Sequence, residues 1–162
     1  MKDKIVISVL GNRNSGKSTT WNTLFGSTVK TGIYSRRLYL TATEYVEVFL
    51  VSGSPEERGL YVGDIVGEQA PRIILCSIQY RADVTKTIDY FCQHDYAIYT
   101  QWLNPGFSDS ARQTDTLSLM SYLLDHDAIV SIRDGTIAPA RRVQELSDFI
   151  YGWARSRGLI RV

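Results

Sequence analysis

Cysteine and histidine are scarce in this chain of 162 residues. The two cysteines, Cys76 and Cys92, are too few for a disulfide framework, and their apolar sequence surroundings favour a reducing, cytoplasmic setting. The two histidines, His94 and His126, form no Cys/His pattern with the spacing of metal ligands. A structural zinc site is therefore not expected.

Long apolar runs and an excess of charge of one sign are missing as well. No apolar segment approaches transmembrane length, and the chain enters a predicted strand near its N-terminus without a signal-peptide pattern. The net charge of +1 argues against a broad surface for nucleic acid or for an anionic membrane. With 44% apolar and 22% charged residues, we expect residues 1–162 to form one globular domain in the cytoplasm.

The most informative stretch that is present is 11–18, which reads Gly-Asn-Arg-Asn-Ser-Gly-Lys-Ser and fits the pattern G-x-x-x-x-G-K-[ST]. The apolar run 4–10 before it predicts a buried strand, and Lys17–Phe25 predicts a helix. A strand, loop and helix N-terminus in this order form an anion site, because backbone N–H groups point inward and the helix dipole adds positive charge. The stretch therefore predicts a phosphate-binding loop (P-loop).

Each residue type in this loop suits one task. The Lys17 ammonium would contact the β- and γ-phosphates of a nucleotide, which makes it the first catalytic candidate. The Ser18 hydroxyl would bind Mg²⁺. The residues predicted to bind phosphate are Asn12, Asn14, Ser15, Gly16, Lys17, Ser18 and Thr19.

Hydrophobic periodicity predicts alternating strands and helices beyond the loop. Residues 32–41 and Tyr45–Val51 should pair as an antiparallel hairpin, with a polar loop at 52–59 behind it. The other predicted strands are 72–78, 95–103 and 128–132, and the other predicted helices are 62–69, Val84–Gln93, 115–124 and a last helix from Pro139. This order predicts an α/β fold of three layers with a six-stranded, mostly parallel sheet, one antiparallel strand, and ligand at the carboxyl ends of the strands.

Two of the predicted helices carry a recognisable core-facing stripe. In the last helix, Val143, Leu146 and Ile150 share one face with Trp153, and the neighbouring arginines, Arg142 among them, are expected on the solvated face. In the helix at 115–124, Leu117, Met120 and Leu124 have helical spacing and are expected to face the core.

The order of elements and the chain length resemble the small GTPase domain of the Ras-like type. Over residues 5–26 the sequence is closer to bacterial GTPases of the Era, TrmE and FeoB type, whose pattern is roughly G-x-P-N-x-G-K-[ST]-[ST]-L-x-N-x-L-x-G. The positions that agree outside the minimal P-loop are Asn14, Asn22, Leu24 and Gly26, while Arg13 replaces the proline. The resemblance implies a P-loop fold in Ras-like strand order.

Two motifs of that family are missing here. The place of D-x-x-G holds Ser52-Gly53-Ser54-Pro55, and no Asp ends either strand expected beside the P-loop strand, Tyr45–Val51 or 72–78. Glu56 and Glu57 follow and are expected to be a solvated pair, with action through water as the alternative. The guanine-reading N/T-K-x-D is absent after the strand 95–103, so guanine specificity is unsupported.

Several single residues keep more than one interpretation. Arg13 would act as an arginine finger in cis, block water, or point to solvent. The resemblance implies that Asn14 helps to hold a monovalent cation, and a loop-stabilising hydrogen bond is the alternative. Thr31 is the candidate for a second Mg²⁺ ligand, with Thr28 as its competitor.

The sequence leaves three functions open. The first is a regulatory switch that hydrolyses the β–γ phosphate bond of GTP or ATP with Mg²⁺ and works with a protein effector or activator. The second is a pseudo-GTPase or nucleotide-binding scaffold with little or no hydrolysis, favoured by the two missing motifs. The third is a small-molecule kinase, against which the hairpin after the first helix argues.

Overall fold

The structure is a computed structural model that describes residues 2–162. Strands and helices alternate along most of this part of the chain. The strands are β1 (Lys4–Gly11), β2 (Arg36–Tyr39), β3 (Tyr45–Val51), β4 (Ile73–Gln79), β5 (Tyr96–Leu103) and β6 (Ile129–Arg133). The helices are α1 (Lys17–Phe25), α2 (Pro55–Arg58), α3 (Val62–Val66), α4 (Val84–Gln93), α5 (Leu119–Asp125) and α6 (Ala140–Arg155).

The six strands form one sheet in the order β2-β3-β4-β1-β5-β6. All neighbouring pairs are parallel except β2 with β3. Alternate residues of β1 point to opposite faces, where Trp21 of α1 and Leu146 of α6 lie on one side, and Ile88 of α4 and Leu123 of α5 on the other. The predicted α/β fold with a six-stranded, mostly parallel sheet and one antiparallel strand is confirmed.

The strand order differs from the Ras-like order that the resemblance implies. That order would place β3 and β4 on the two sides of β1, but β1 lies between β4 and β5, and β3 pairs with β4. β4 takes the central place because its apolar run is buried on both faces and pairs with β1 along its whole length. The prediction of Ras-like strand order is therefore wrong, and the carboxyl end of β3 lies one strand farther from β1.

The helix predicted at 115–124 begins later, at Leu119. The Asp115 carboxylate accepts hydrogen bonds from the backbone N–H groups of Leu119 (3.0 Å) and Met120 (2.9 Å), so the residues before Leu119 form a turn that caps the helix. Leu117 in this turn and Leu124 within α5 are both exposed, so the prediction that they face the core is wrong. Met120 packs against the core as predicted.

A short helix, α2, stands where the sequence predicts only a polar loop. Ser54 caps it by accepting a hydrogen bond from the Glu57 N–H (3.3 Å), Pro55 occupies its first turn, and Gly59 ends it in the left-handed conformation. These are ordinary helix boundary residues, but four helical residues are too few to show a periodic pattern. α2 fixes the position of both Glu56 and Glu57.

α6 is the longest helix and carries the predicted apolar stripe. Val143, Leu146 and Ile150 are buried and Trp153 is partly buried, as expected. Arg142, expected on the solvated face, is buried instead. Within residues 2–162, no helix has both the length and the hydrophobicity that crossing a membrane requires.

Candidate functional site

The loop between β1 and α1 has the conformation that an anion site needs. Gly16 has φ of 103° and Asn14 has φ of 59°, both in the left-handed region, which glycine adopts freely and asparagine tolerates better than most residues. Gly16 O accepts hydrogen bonds from the backbone N–H (3.1 Å) and Oγ1 (2.9 Å) of Thr20, which fix the first turn of α1. The chain therefore turns sharply into the helix.

This turn leaves a row of backbone donors without acceptors. The N–H groups of Gly16, Lys17, Ser18 and Thr19 donate to no acceptor within residues 2–162, and no side chain caps α1. The first N–H groups of a helix have no partner in the helix and carry its positive dipole end. The row is therefore suited to bind an anion.

Lys17 adds a full positive charge beside these donors. Its side chain is only 6% exposed, and Nζ donates to the carbonyl oxygens of Asn12 (2.8 Å) and Gly11 (3.2 Å) and to Glu57 Oε1 (3.2 Å). Burial lowers the pKa of Lys17 below its ordinary value, and Glu57 partly opposes that shift. The ammonium is thus held by a carboxylate and carbonyls that an incoming anion can replace.

Glu56 and Glu57 do not form the solvated pair that the sequence predicts. Glu56 is buried, and its carboxylate accepts from the Gln79 N–H (2.7 Å) and the Thr87 hydroxyl (2.6 Å), which ties α2 to β4 and α4. Burial raises the pKa of this carboxyl. Glu57 is about one-third exposed and faces Lys17. Neighbouring residues of one short helix therefore have different roles, one structural and one at the site.

A cavity of about 730 Å³ opens over the loop at the carboxyl ends of the strands. Its walls are residues 13–19, the segment after β3 with Ser52, Ser54 and Glu57, residues 107–108 after β5, and residues 135–139 with Arg142. The location agrees with the prediction that ligand binds at this edge of the sheet.

Most of the predicted site residues line this cavity. Asn14, Ser15, Gly16, Lys17, Ser18 and Thr19 do so, and Arg13 lies at its exposed rim. Asn12 is not among the lining residues, because its side chain points to Asp109 (3.5 Å).

Thr31 is also outside the cavity lining. Its hydroxyl accepts hydrogen bonds from the backbone N–H groups of Ser52 (2.9 Å) and Gly53 (3.4 Å) at the end of β3. The described residues contain no group of three or more His, Cys, Asp or Glu side chains that would hold a metal ion. In this conformation Thr31 therefore connects the segment between α1 and β2 to the end of β3.

Two further loops form part of the cavity wall beside the 11–18 loop. The Phe107 N–H donates to Ser15 O (2.9 Å), which holds the loop after β5 against the 11–18 loop, and the Gly135 N–H donates to Pro105 O (2.7 Å), which joins the loop after β6 to the loop after β5. Phe107 is 67% exposed and Ile137 61% exposed, and both line the cavity. Large apolar side chains left open in a cavity suit a flat apolar ligand group.

Gly135→Ala is expected to disrupt this arrangement. A Cβ on Gly135 would lie 2.9 Å from Ser15 O and 3.0 Å from Pro105 O, and backbone atoms cannot move aside cheaply. We expect a loss of stability of about 2 kcal/mol, typical of overpacking, together with weaker ligand binding. Gly152→Ala is the control, because no atom lies within 4 Å of the Cβ position at Gly152 in α6. Alanine is the better helix former, so this variant should be more stable than the wild type by about 0.5–1 kcal/mol. Urea unfolding of both variants and of the wild type measures these differences. A Gly135→Ala variant as stable as the wild type would contradict the close packing of Gly135 against Ser15 and Pro105.

The sequence analysis did not predict three residues of this site, which are Arg142, Phe107 and Ile137. Arg142 has the one available signal, because it shares a helix face with Leu146 and Ile150 at spacings of four and eight. Phe107 and Ile137 lie in loops, where exposed apolar residues show no period. Their common cavity is decided by contacts between distant segments.

Comparisons with known proteins identify no family for this chain. It matches no protein-family model, and no curated protein is significantly similar to it.

Proposed function

We propose that this protein binds a nucleoside triphosphate with its phosphates on the 11–18 loop and hydrolyses the β–γ bond. The observation that carries the proposal is the row of N–H groups at residues 16–19, which have no acceptor in the described chain, next to the buried Lys17 ammonium in the wall of a cavity of about 730 Å³. Amide donors and a cation at a helix N-terminus suit phosphate oxygens. The P-loop pattern and the resemblance to small GTPases support the same function.

The cavity has the size and polarity that a nucleotide needs. Ligand cavities span about 300–1,000 Å³, and the lining of this one combines the polar 11–18 loop with the apolar side chains of Phe107 and Ile137. Phosphates at Lys17 would place the base near Phe107 and Ile137, whose side chains offer stacking and apolar contact. Apolar contact does not distinguish guanine from adenine, so both GTP and ATP are candidate ligands.

Mg²⁺ fits this site as a partner of the phosphates. It is usually held by one or two protein groups together with phosphate oxygens and water. Ser18 is exposed in the cavity and would contribute its hydroxyl, and the Glu57 carboxylate would act through water. When bound, Mg²⁺ neutralises charge on the β- and γ-phosphates. Thr31 would have to leave its present hydrogen bonds to take part.

Glu57 is the residue best placed to orient water. When phosphate oxygens replace it at Lys17, its carboxylate is free at the edge of the phosphate site. It would hold a water molecule in line with the γ-phosphorus and accept a proton from it. The water oxygen then bonds to phosphorus, the bond to the β–γ bridging oxygen breaks, and a nucleoside diphosphate and phosphate leave.

A nucleotide-binding module without hydrolysis is the second candidate. The observation that favours it is the end of β3, where Ser52, Gly53 and Ser54 stand in place of a metal-supporting carboxylate. In that case Glu57 would serve only to hold Lys17 until a nucleotide binds.

The deciding experiment is a thermal shift assay with GTP, GDP, ATP and ADP, each with and without Mg²⁺, followed by phosphate release for every ligand that binds. We expect a rise in Tm that is larger with Mg²⁺ and comparable for the two bases, because a ligand that binds only the folded state stabilises it. Binding with phosphate release supports the hydrolase, and binding without release supports the module. No shift with any nucleotide would contradict both.

A further inference from the structure

A second buried cation lies on the opposite side of the loop from the Lys17–Glu57 pair. Arg142, in the first turn of α6, is 5% exposed and lines the cavity. Its Nη1 donates to Thr20 Oγ1 (2.6 Å) and to Gln101 Oε1 (3.3 Å). Neither acceptor is charged, so these bonds orient the guanidinium without neutralising it.

The charge of Arg142 has no counter-charge in the described chain. No carboxylate of residues 2–162 forms an ion pair with it, and its buried Nε has no hydrogen-bond acceptor. Burial lowers the pKa of Arg142 to about 10. A buried charge without a partner is costly, and proteins seldom keep one without a use.

The position of the guanidinium indicates what would neutralise it. Nη2 lies 3.5 Å from the point where a Cβ on Gly16 would be, and Phe107 Cβ lies 3.9 Å from the same point. Nη2 donates no hydrogen bond within residues 2–162. It therefore lies at the start of the row of free N–H groups, close to Phe107.

The two cations lie on different sides of β1. Lys17 Nζ is held on the β3 side by Glu57 of α2, whereas Arg142 comes from α6 on the side of β5 and β6. Phe107 lies directly beside Gly16, because its N–H donates to Ser15 O (2.9 Å). A nucleotide with its base near Phe107 and its terminal phosphate at Lys17 would therefore bring its first phosphate beside Gly16.

We propose that Arg142 binds the phosphate nearest the nucleoside, the α-phosphate, and so recognises the part of the ligand that nucleoside di- and triphosphates share. The inference rests on the proposed function, because it assumes a nucleotide in this cavity. Thr20 and Gln101 fix the guanidinium plane, which leaves Nη2 to donate to a phosphate oxygen. Arg142 is a binding residue in this scheme and takes no proton.

The test is Arg142→Met, which removes the charge and keeps a similar length. Titration calorimetry with the di- and triphosphate that bind the wild type best should show affinity reduced by about 10- to 100-fold, the loss typical of a charged hydrogen bond. The loss should be the same for both ligands, because both have an α-phosphate. The unliganded variant should melt within a few degrees of the wild type, since an uncompensated charge is also removed.

Arg141→Met is the matched control, because Arg141 is the exposed neighbour of Arg142 in the same helix turn. This variant should bind both ligands with wild-type affinity. Unchanged affinity in Arg142→Met would overturn the inference, and so would a loss confined to the triphosphate.

If Arg142→Met does not fold, Arg142→Lys tests the inference instead. Its single ammonium cannot reach Thr20, Gln101 and phosphate together, so an equal loss for both ligands is expected and wild-type affinity would overturn the proposal. A wild type that binds no nucleotide would instead contradict the proposed function itself.

Discussion

Lys17→Met is expected to abolish nucleotide binding, the largest effect of any single substitution in this chain. The variant loses the only ammonium that residues 2–162 place beside the free N–H groups of residues 16–19, together with the bonds from Nζ to Gly11 O and Asn12 O. The backbone hydrogen bond from the Ser15 N–H to Asn12 O does not involve this side chain. Two charged hydrogen bonds to the β- and γ-phosphates are each worth about 1.5–3 kcal/mol, so affinity should fall by at least about 100-fold. Titration calorimetry with GTP and ATP in the presence of Mg²⁺ measures the loss.

The control for Lys17 is Lys86→Met, because Lys86 is an exposed lysine of α4 that does not line the cavity. It removes the same charge from the protein and should leave affinity unchanged. Wild-type affinity in Lys17→Met would show that the 11–18 loop does not bind phosphate.

The same lysine should make nucleotide affinity depend on pH. Burial lowers the pKa of Lys17 below its usual 10.5, so the free protein loses this proton at lower pH than an exposed lysine would. Bound phosphate favours the protonated form, and affinity should therefore fall as pH rises through the lowered pKa. Titrations from pH 7 to 10.5 test this, and an affinity that begins to fall only around 10.5 would contradict the shift.

Glu57→Gln should have opposite effects on binding and turnover. The substitution removes the carboxylate that holds Lys17 Nζ at 3.2 Å, so phosphate no longer competes with an ion pair and affinity should rise a few-fold. An amide cannot accept the proton of the attacking water, so phosphate release should fall by about 100-fold, the lower range for loss of a general base. Single-turnover phosphate release and calorimetry on the same preparation separate the two.

Glu47→Gln provides the comparison for Glu57, because Glu47 is exposed on β3 and outside the cavity. It should change neither quantity. Unaltered turnover in Glu57→Gln would remove Glu57 from the reaction, and weaker binding would show that the carboxylate supports the ligand instead of competing with it.

Local patterns predicted the elements well where a single period covers the whole element. α1, β3 and α4 have the predicted bounds, because each has an unbroken pattern between clear boundary residues. The pattern failed at α5, where Leu117 and Leu124 have helical spacing but lie exposed. There the Asp115 carboxylate caps the helix, which begins at Leu119 and so four residues later than the pattern predicts.

The candidate site was predicted in part. The loop residues that line the cavity are contiguous in sequence, so one motif identifies them together. Glu57, Phe107 and Arg142 come from three other segments, and they meet the loop only because β3, β5 and α6 end or begin at the same edge of the sheet. No local pattern relates segments so far apart.

The sequence by itself determined the strand, loop and helix that present free N–H groups, because these depend on residues within a few positions of one another. It also determined the number of strands and the antiparallel hairpin. Only the tertiary structure decided that β4 lies between β3 and β1, that Glu57 faces Lys17, and that Arg142 is buried without a counter-charge. Strand order and the pairing of charges depend on packing between apolar segments that are distant in the chain and similar in sequence. Which of these segments pair is therefore determined only by their burial in the folded protein.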